Sequence, residues 1–425
     1  MRFFTFLFLF LSLLVVCSKC DFHCSKIERT FTKHAFAPES FLNRMNRRTV
    51  FHDFSIRLNK GSGLSSYPAA SHSFEIASKI WSEIFKNVHI ETPITIDVDL
   101  AGLRGGVLGS TRTIDLIGKY CGEEGILPEP LQSAVGIQFP VCQNISYAIP
   151  NRIVFRGNML YCKPNLKALG FTGLDEDFGQ SDGSITFSNR FSFDFDLSDG
   201  LDPRKTDFLS VVIHEMGHLF GFISGVDDID TGSLEFTPSI LDLYRFEMIG
   251  SASHDFLRDQ RIANPRIGNH TFWGIVPSPN QYRLSSGTRY GDGNQASHWG
   301  ADELYEKYVG LMDPSLAAGK SLTITIADIL AFKALGYSIN AQMKPIVVSH
   351  RIEGNTGRTS ILKVFAQLML GDIVMCKFTT RDNHTIQTTG YKDQMFSVCN
   401  IANRQDVTTF SVSGDLGNFS DEIQL

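Results

Sequence analysis

Two histidines and a glutamate in one short stretch are the residues of this chain best suited to chemistry. The stretch is Val211-Val212-Ile213-His214-Glu215-Met216-Gly217-His218-Leu219-Phe220-Gly221. On a helix, positions four apart share a face, so the imidazoles of His214 and His218 would point the same way. Two such rings make half of a tetrahedral zinc site, with metal–nitrogen distances of about 2.0–2.1 Å. Glu215, beside the first ring, is placed to take a proton from a water held by the metal. Zinc lowers the pKa of such a water from about 15.7 to about 7, which gives a nucleophile near neutral pH. A buried amphipathic helix could carry the same three residues by chance. Two ligands do not complete a catalytic site, so a third must come from elsewhere in the chain.

The elements needed to position these side chains are legible nearby. Thr206-Asp207 is the expected helix start, with a hydroxyl for the cap and a negative charge at the positive end of the dipole. Phe208, Val211, Val212 and Leu219 supply an apolar face, and Gly221 can end or bend the helix.

For the third ligand, the compact metzincin pattern would place a histidine at position 224, where this chain has Ser224. Asp227 and Asp228 follow closely and are candidates. A better one lies downstream in Gln295-Ala296-Ser297-His298-Trp299-Gly300, followed by Glu303-Leu304 and by Gly310-Leu311-Met312-Asp313-Pro314. His254 and His270, in the intervening stretch, read as surface residues.

This order resembles leishmanolysin-like metzincins, in which an insertion separates the helix motif from a His-Trp third ligand and a methionine turn. It is also similar to a group of secreted, bacterial-type HExxH proteases, through Asp182-Gly183-Ser184-Ile185, Ser224-Gly225-Val226-Asp227 and Leu241-Asp242-Leu243-Tyr244-Arg245. The resemblance covers roughly residues 90–340. It implies Zn2+ held by His214, His218 and His298, Glu215 as general base, and Met312 beneath the site. No Tyr follows Met312, where some metzincins place an extra oxyanion partner, so the group assisting the metal there is open.

The bulk composition excludes some functions. Of 425 residues, 43% are hydrophobic and 20% charged, with a net charge of −6, which offers nothing to nucleic acid or an anionic membrane. Residues 1–20 read as a signal peptide: Met1-Arg2 is a short positive start, and Phe3 to Val16 are apolar but short for a membrane span. A secreted protein without stable membrane insertion after cleavage is expected. If Cys17 and Cys20 leave with the leader, six cysteines remain, at 24, 121, 142, 162, 376 and 399, and an even number in an exported chain suggests disulfides. Cys376 and Cys399 form the most isolated pair. Sequons at Asn144, Asn269, Asn383 and Asn418 mark surface sites for glycosylation.

Along the chain, residues 21–70 lack a clear period and could be a pro-segment or a first layer of the next domain. Cys24 beside His23 could cap the metal in a latent form, with a disulfide as the duller alternative. Helical spacing over 71–86 and alternation over Ile94–Leu100 point to a helix and a strand. Between Asp175 and Asp207, acids and glycines could hold structural Ca2+ or simply make turns. Gly183–Ser188 reads as an edge-like strand, and Thr325 to Tyr337 as a helix closing the domain. From Lys344 to Leu425, short alternating stretches are spaced as in a β-sandwich. The order of Cys376, Cys399, Phe410 and Asn418 resembles immunoglobulin-like modules of the plexin and transcription-factor type.

The expected fold is therefore α+β: a metzincin-like zinc protease domain over 71–340 and an all-β immunoglobulin-like sandwich over 345–425. The expected function is hydrolysis of protein or peptide substrates by an exported zinc endopeptidase. The alternative is an extracellular binding protein with a structural metal centre, its C-terminal domain taking a protein partner. An amide or ester hydrolase is a third option.

Overall fold

The computed structural model describes residues 34–35, 50–103, 108–119, 146–247, 260–266, 271–274, 281–353, 359–368, 373–393, 396–402, 407–414 and 417–425. The leader, Cys24, Cys121, Cys142, His254, His270, Asn144 and Asn269 lie outside them.

Strand alternation builds the first sheet. Strands β1 (Ile56–Lys60), β2 (Ile94–Ala101), β3 (Gly109–Thr113) and β4 (Gly183–Ser188) pair in the order β1-β2-β4-β3. β1, β2 and β4 are parallel, and β3 runs antiparallel to β4. In β2, Ile94, Ile96, Val98 and Leu100 are buried on one face, while Asp97 and Asp99 are half-buried on the other. β1 joins the sheet from within the aperiodic segment before residue 71. β4 is interior, not the edge strand its sequence suggests. The outer place belongs to β3, Gly109-Ser110-Thr111-Arg112-Thr113, whose small polar residues hide its strand character.

Two helices cover the apolar face of this sheet. Helix α1 (Pro68–Ile84) begins with Pro68, whose fixed φ suits the first turn. Helix α2 (Phe208–Leu219) carries the His-Glu-x-x-His motif. Phe74 of α1 stands edge-on to Phe187 of β4 and Phe208 of α2, with centroids 5.7 and 6.0 Å apart. The Trp81 indole N–H donates to the carbonyl of Ile213 at 3.2 Å, locking α1 to the motif helix. Each such buried aromatic or aliphatic side chain contributes about 1.5–3 kcal/mol.

The cap of α2 differs in one detail from expectation. The Asp207 carboxylate, not the Thr206 hydroxyl, accepts from the Ser210 amide at 3.3 Å and from its hydroxyl at 2.6 Å. Thr206 is occupied in a two-residue strand pairing with Phe193–Asp194. Gly221 ends the helix at φ +102°, a conformation open to glycine. Next come the short helix α3 (Val226–Thr231) and, downstream, α4 (Ile326–Ala334), closed by Gly336 at φ +100°.

The acid-rich stretch is tied down by cations and amides. Lys163 and Lys167, both buried, reach Asp175 at 2.7 and 2.8 Å and Asp182 at 3.4 and 2.8 Å. Asp194 accepts from the Asp202 amide at 2.8 Å, and Asp202 accepts from Arg204. These carboxylates have partners other than a calcium ion.

The C-terminal region is all-β. Strands β5 (Ile346–Glu353), β6 (Thr359–Gln367), β7 (Ile373–Thr380), β8 (Thr385–Asp393), β9 (Phe396–Ala402), β10 (Val407–Ser413) and β11 (Ile423–Gln424) form one curled antiparallel sheet in the order β5-β6-β9-β8-β7-β10-β11. Leu362, Val364, Val374, Phe378, Phe410 and Val412 make its own apolar core. Cys376 and Cys399 are disulfide-bonded, with Cα atoms 6.1 Å apart, joining β7 to β9 across the intervening β8. Gly390 of β8 is held by the neighbouring β9, since a Cβ there would lie 2.3 Å from the Val398 carbonyl and 3.2 Å from the Cys376 sulfur. Cys162 is a buried free thiol packed with Leu160 and Ile223. β5 and β6 also touch the first domain: Ser349 Oγ donates to the Leu197 carbonyl at 2.6 Å, and Phe365 joins the main core.

Candidate metal centre

Three imidazoles meet in the interior. His214 and His218 face the same way from α2, and His298 arrives from the turn before Trp299, so that one ring nitrogen from each lies within 4.8 Å of the others. Exposure is 0% for His214, 5% for His218 and 1% for His298. Nε2 of His218 and Nε2 of His298 are 3.2 Å apart. Two nitrogens on a tetrahedral zinc, each at about 2.0–2.1 Å, would stand about 3.3 Å apart.

Hydrogen bonding fixes which nitrogens face inward. Nδ1 of His214 lies 2.8 Å from the Leu311 carbonyl, Nδ1 of His218 2.8 Å from that of Phe222, and Nδ1 of His298 3.2 Å from that of Gln295. A carbonyl only accepts, so each Nδ1 carries the hydrogen and each neutral ring turns an Nε2 lone pair toward the centre. The contact between His218 and His298 then sets lone pair against lone pair, which is repulsive until a cation lies between them. Protonation is opposed by the surroundings. Burial, then the neighbouring His218, push His214 well below its ordinary pKa. Burial, then His218 and His214, do the same to His298. Burial lowers His218 to about 4. Three neutral donors, each anchored through its other nitrogen, make a site that could hold a metal ion.

Glu215 is buried beside the group at 1% exposure. Thr111 of β3 donates its hydroxyl to Glu215 Oε2 at 2.6 Å and so fixes the carboxylate. Gly109, two residues earlier, leaves room above it. A Cβ there would come 2.5 Å from the Phe187 ring and 3.1 Å from Glu215 Oε1.

The floor is Met312. Its sulfur lies 2.5 Å from where a Cβ on Gly217 would stand, so the glycine between the two motif histidines is what admits the methionine. Trp299 donates its amide to the Met312 carbonyl at 2.9 Å, tying the third-ligand segment to the same turn. Asp328, in the first turn of α4, accepts from the Trp299 indole at 2.8 Å and from the Leu311 amide at 2.8 Å. One carboxylate thus holds the neighbour of His298 and the residue whose carbonyl orients His214.

The sequence-derived candidates sort plainly against this geometry. His214, His218 and His298 come together, with Glu215 and Met312 beside them. Asp227 and Asp228, the other third-ligand candidates, are not in the group; Asp227 instead accepts from the Ala296 amide at 2.6 Å and from the Ser297 hydroxyl. Thr111, Gly109 and Asp328 were not found from sequence. Asp328 sits three residues after Thr325 and forms a capping box with it, a spacing that could have drawn attention to it.

No protein-family profile, no curated protein and no solved structure matches this chain.

Proposed function

We propose that this protein is a zinc-dependent endopeptidase. The observation that carries it is the convergence of three Nε2 lone pairs, each set by an Nδ1–H on a backbone carbonyl, next to a buried carboxylate held by Thr111. A bound zinc would polarise a carbonyl and acidify a water. Glu215 takes the proton of the attacking water and returns it to the departing amine. A structural zinc site closes its fourth position with a protein donor, whereas among the described residues this group ends at three.

A peptide substrate is supported by β3. It is one of the two outer strands of its sheet, its hydroxyl at Thr111 reaches the base, and its far edge pairs with no strand among the described residues. An extended chain can add to such an edge by backbone hydrogen bonds, with its carbonyl brought beside Glu215. Secretion is supported by the Cys376–Cys399 disulfide, a bond kept in oxidising compartments. Among the described residues, no helix is long and apolar enough to cross a membrane. In this reading the disulfide-linked C-terminal region, one curled sheet and not two separate ones, takes an extracellular protein partner.

The deciding experiment is digestion of a peptide library by the purified full chain, with and without a chelator, alongside Glu215→Gln. Chelator-sensitive cleavage that the variant lacks, at unchanged zinc content, is the expected result. Cleavage that survives both treatments would overturn the proposal.

A further inference from the structure

His298 is the ligand with least local support, because it lies in a turn 80 positions past His218. Its carbonyl partner shows how it is held. The Nδ1–H of His298 donates to Gln295 C=O, and the same peptide unit presents the Ala296 N–H on its other side. That N–H donates to Asp227 Oδ1 at 2.6 Å. Carboxylate, peptide and imidazole therefore form one line. Among the described residues, no carboxylate is bound in this way to the peptides whose carbonyls hold His214 and His218: the Ile223 amide donates to the Gly221 carbonyl, and Asp328 binds the amide of Leu311 itself, which belongs to the preceding peptide.

Both carboxylate oxygens of Asp227 accept hydrogen bonds. Its other oxygen accepts from the Ser297 hydroxyl, whose oxygen accepts from the Ser224 amide at 2.9 Å. Ser224, at the position where the compact motif has its third histidine, donates in turn to Asp242 at 2.6 Å. The buried guanidinium of Arg245 donates to the Ala296 carbonyl at 3.1 Å, so both peptides of Ala296 are clamped. Asp227 and Asp242 both act on the charge of Arg245.

We propose that Asp227 is a positioning residue for the third ligand, the remote carboxylate of a carboxylate–peptide–histidine relay. Its charge polarises the Gln295–Ala296 peptide, strengthens that carbonyl as an acceptor, and makes His298 a better donor to the metal. The inference rests on the zinc reading of the three histidines and adds a residue that touches neither metal nor substrate.

The test is zinc affinity of the full chain, titrated from the metal-free state against a chromophoric chelator, with the visible spectrum of the Co2+ form as a second readout. Asp227→Asn keeps the shape and one acceptor but loses the charge. It is expected to weaken zinc about 10- to 100-fold and to shift the Co2+ bands. Ser297→Ala removes the hydroxyl arm but leaves the charged oxygen on the Ala296 amide, and should bind zinc nearly as the wild type does. Asp227→Glu, which retains the charge, should lose less than Asp227→Asn. Wild-type affinity in Asp227→Asn, or equal losses in Ser297→Ala or Asp227→Glu, would overturn the relay. A wild-type chain that binds no zinc would instead remove the metal reading beneath it.

Discussion

Gly217 and Met312 share one space: the methionine sulfur occupies the position a residue 217 side chain would need, 2.5 Å from its ideal Cβ. The contact lies between the two motif histidines on α2, so any shift there moves both rings. Gly217→Ala should overpack the floor and lower stability by about 1–3 kcal/mol, even though alanine favours helix. Met312→Ala should leave a cavity, at a cost of about 2–5 kcal/mol. The double variant should lose less than the two together, because the new methyl enters the vacated space. Urea unfolding of the four proteins checks this, and strictly additive losses would show that the two residues do not compete.

Thr111 and Glu215 give a prediction about turnover alone. The hydroxyl lies 2.6 Å from Oε2 and 3.1 Å from the Glu215 carbonyl, so it would orient the proposed base. Thr111→Val keeps the shape and removes the donor. A hydrogen bond to a charged group is worth about 1.5–3 kcal/mol, so kcat should fall roughly ten- to hundredfold. Zinc content should not change. Full activity in the valine variant would show that packing alone positions the carboxylate.

The motif helix was readable because its information is local. Spacing puts His214 and His218 on one face, and the apolar positions say which face is inside. The strand over Ile94–Leu100 was legible for the same reason. His298 was legible only through a resemblance, since no period connects residues 80 positions apart. Thr111 was hidden because β3 has no apolar alternation; its register comes from β4, not from its own composition. That same omission made Gly183–Ser188 look like an edge. The acids between Asp175 and Asp207 were ambiguous because their partners Lys163 and Lys167 come from a separate helix, Lys163–Ala168.

Asp328 links stability to the three-histidine group. It caps α4 through Thr325, whose amide donates to it at 2.7 Å, and it holds Trp299 and Leu311 at the same time. An asparagine has one acceptor oxygen, so Asp328→Asn leaves at least one of these buried donors facing an amide N–H. A loss of about 1–3 kcal/mol is expected for that mismatch. Thr325→Ala should lose the helix cap but leave both arms to the site. Zinc affinity should therefore drop in Asp328→Asn and hold in Thr325→Ala; parallel behaviour would reduce Asp328 to a helix cap.

Asp313 makes the fold sensitive to pH. It accepts from the amides of Asp302 at 3.0 Å and Ser315 at 2.9 Å, yet burial raises its pKa from 3.8 to about 7, with the charge of Asp302 adding to the effect. Below 3.8 the folded and unfolded chains both carry this proton. Between 3.8 and about 7 the unfolded chain gives it up while the folded chain keeps it, so stability falls as pH rises through this window. Above about 7 both are ionised and the loss is complete, on the order of 4 kcal/mol. Burial raises Asp182, Asp207 and Asp328 in the same direction, while it lowers the three site histidines, whose contribution runs the opposite way. The wild-type curve alone therefore cannot isolate the group. Asp313→Asn should gain on the wild type as pH rises from about 4 to 7, then hold a constant difference. Unfolding free energies of the two proteins across that range decide it, and a difference independent of pH would mean that Asp313 is ionised in the fold throughout.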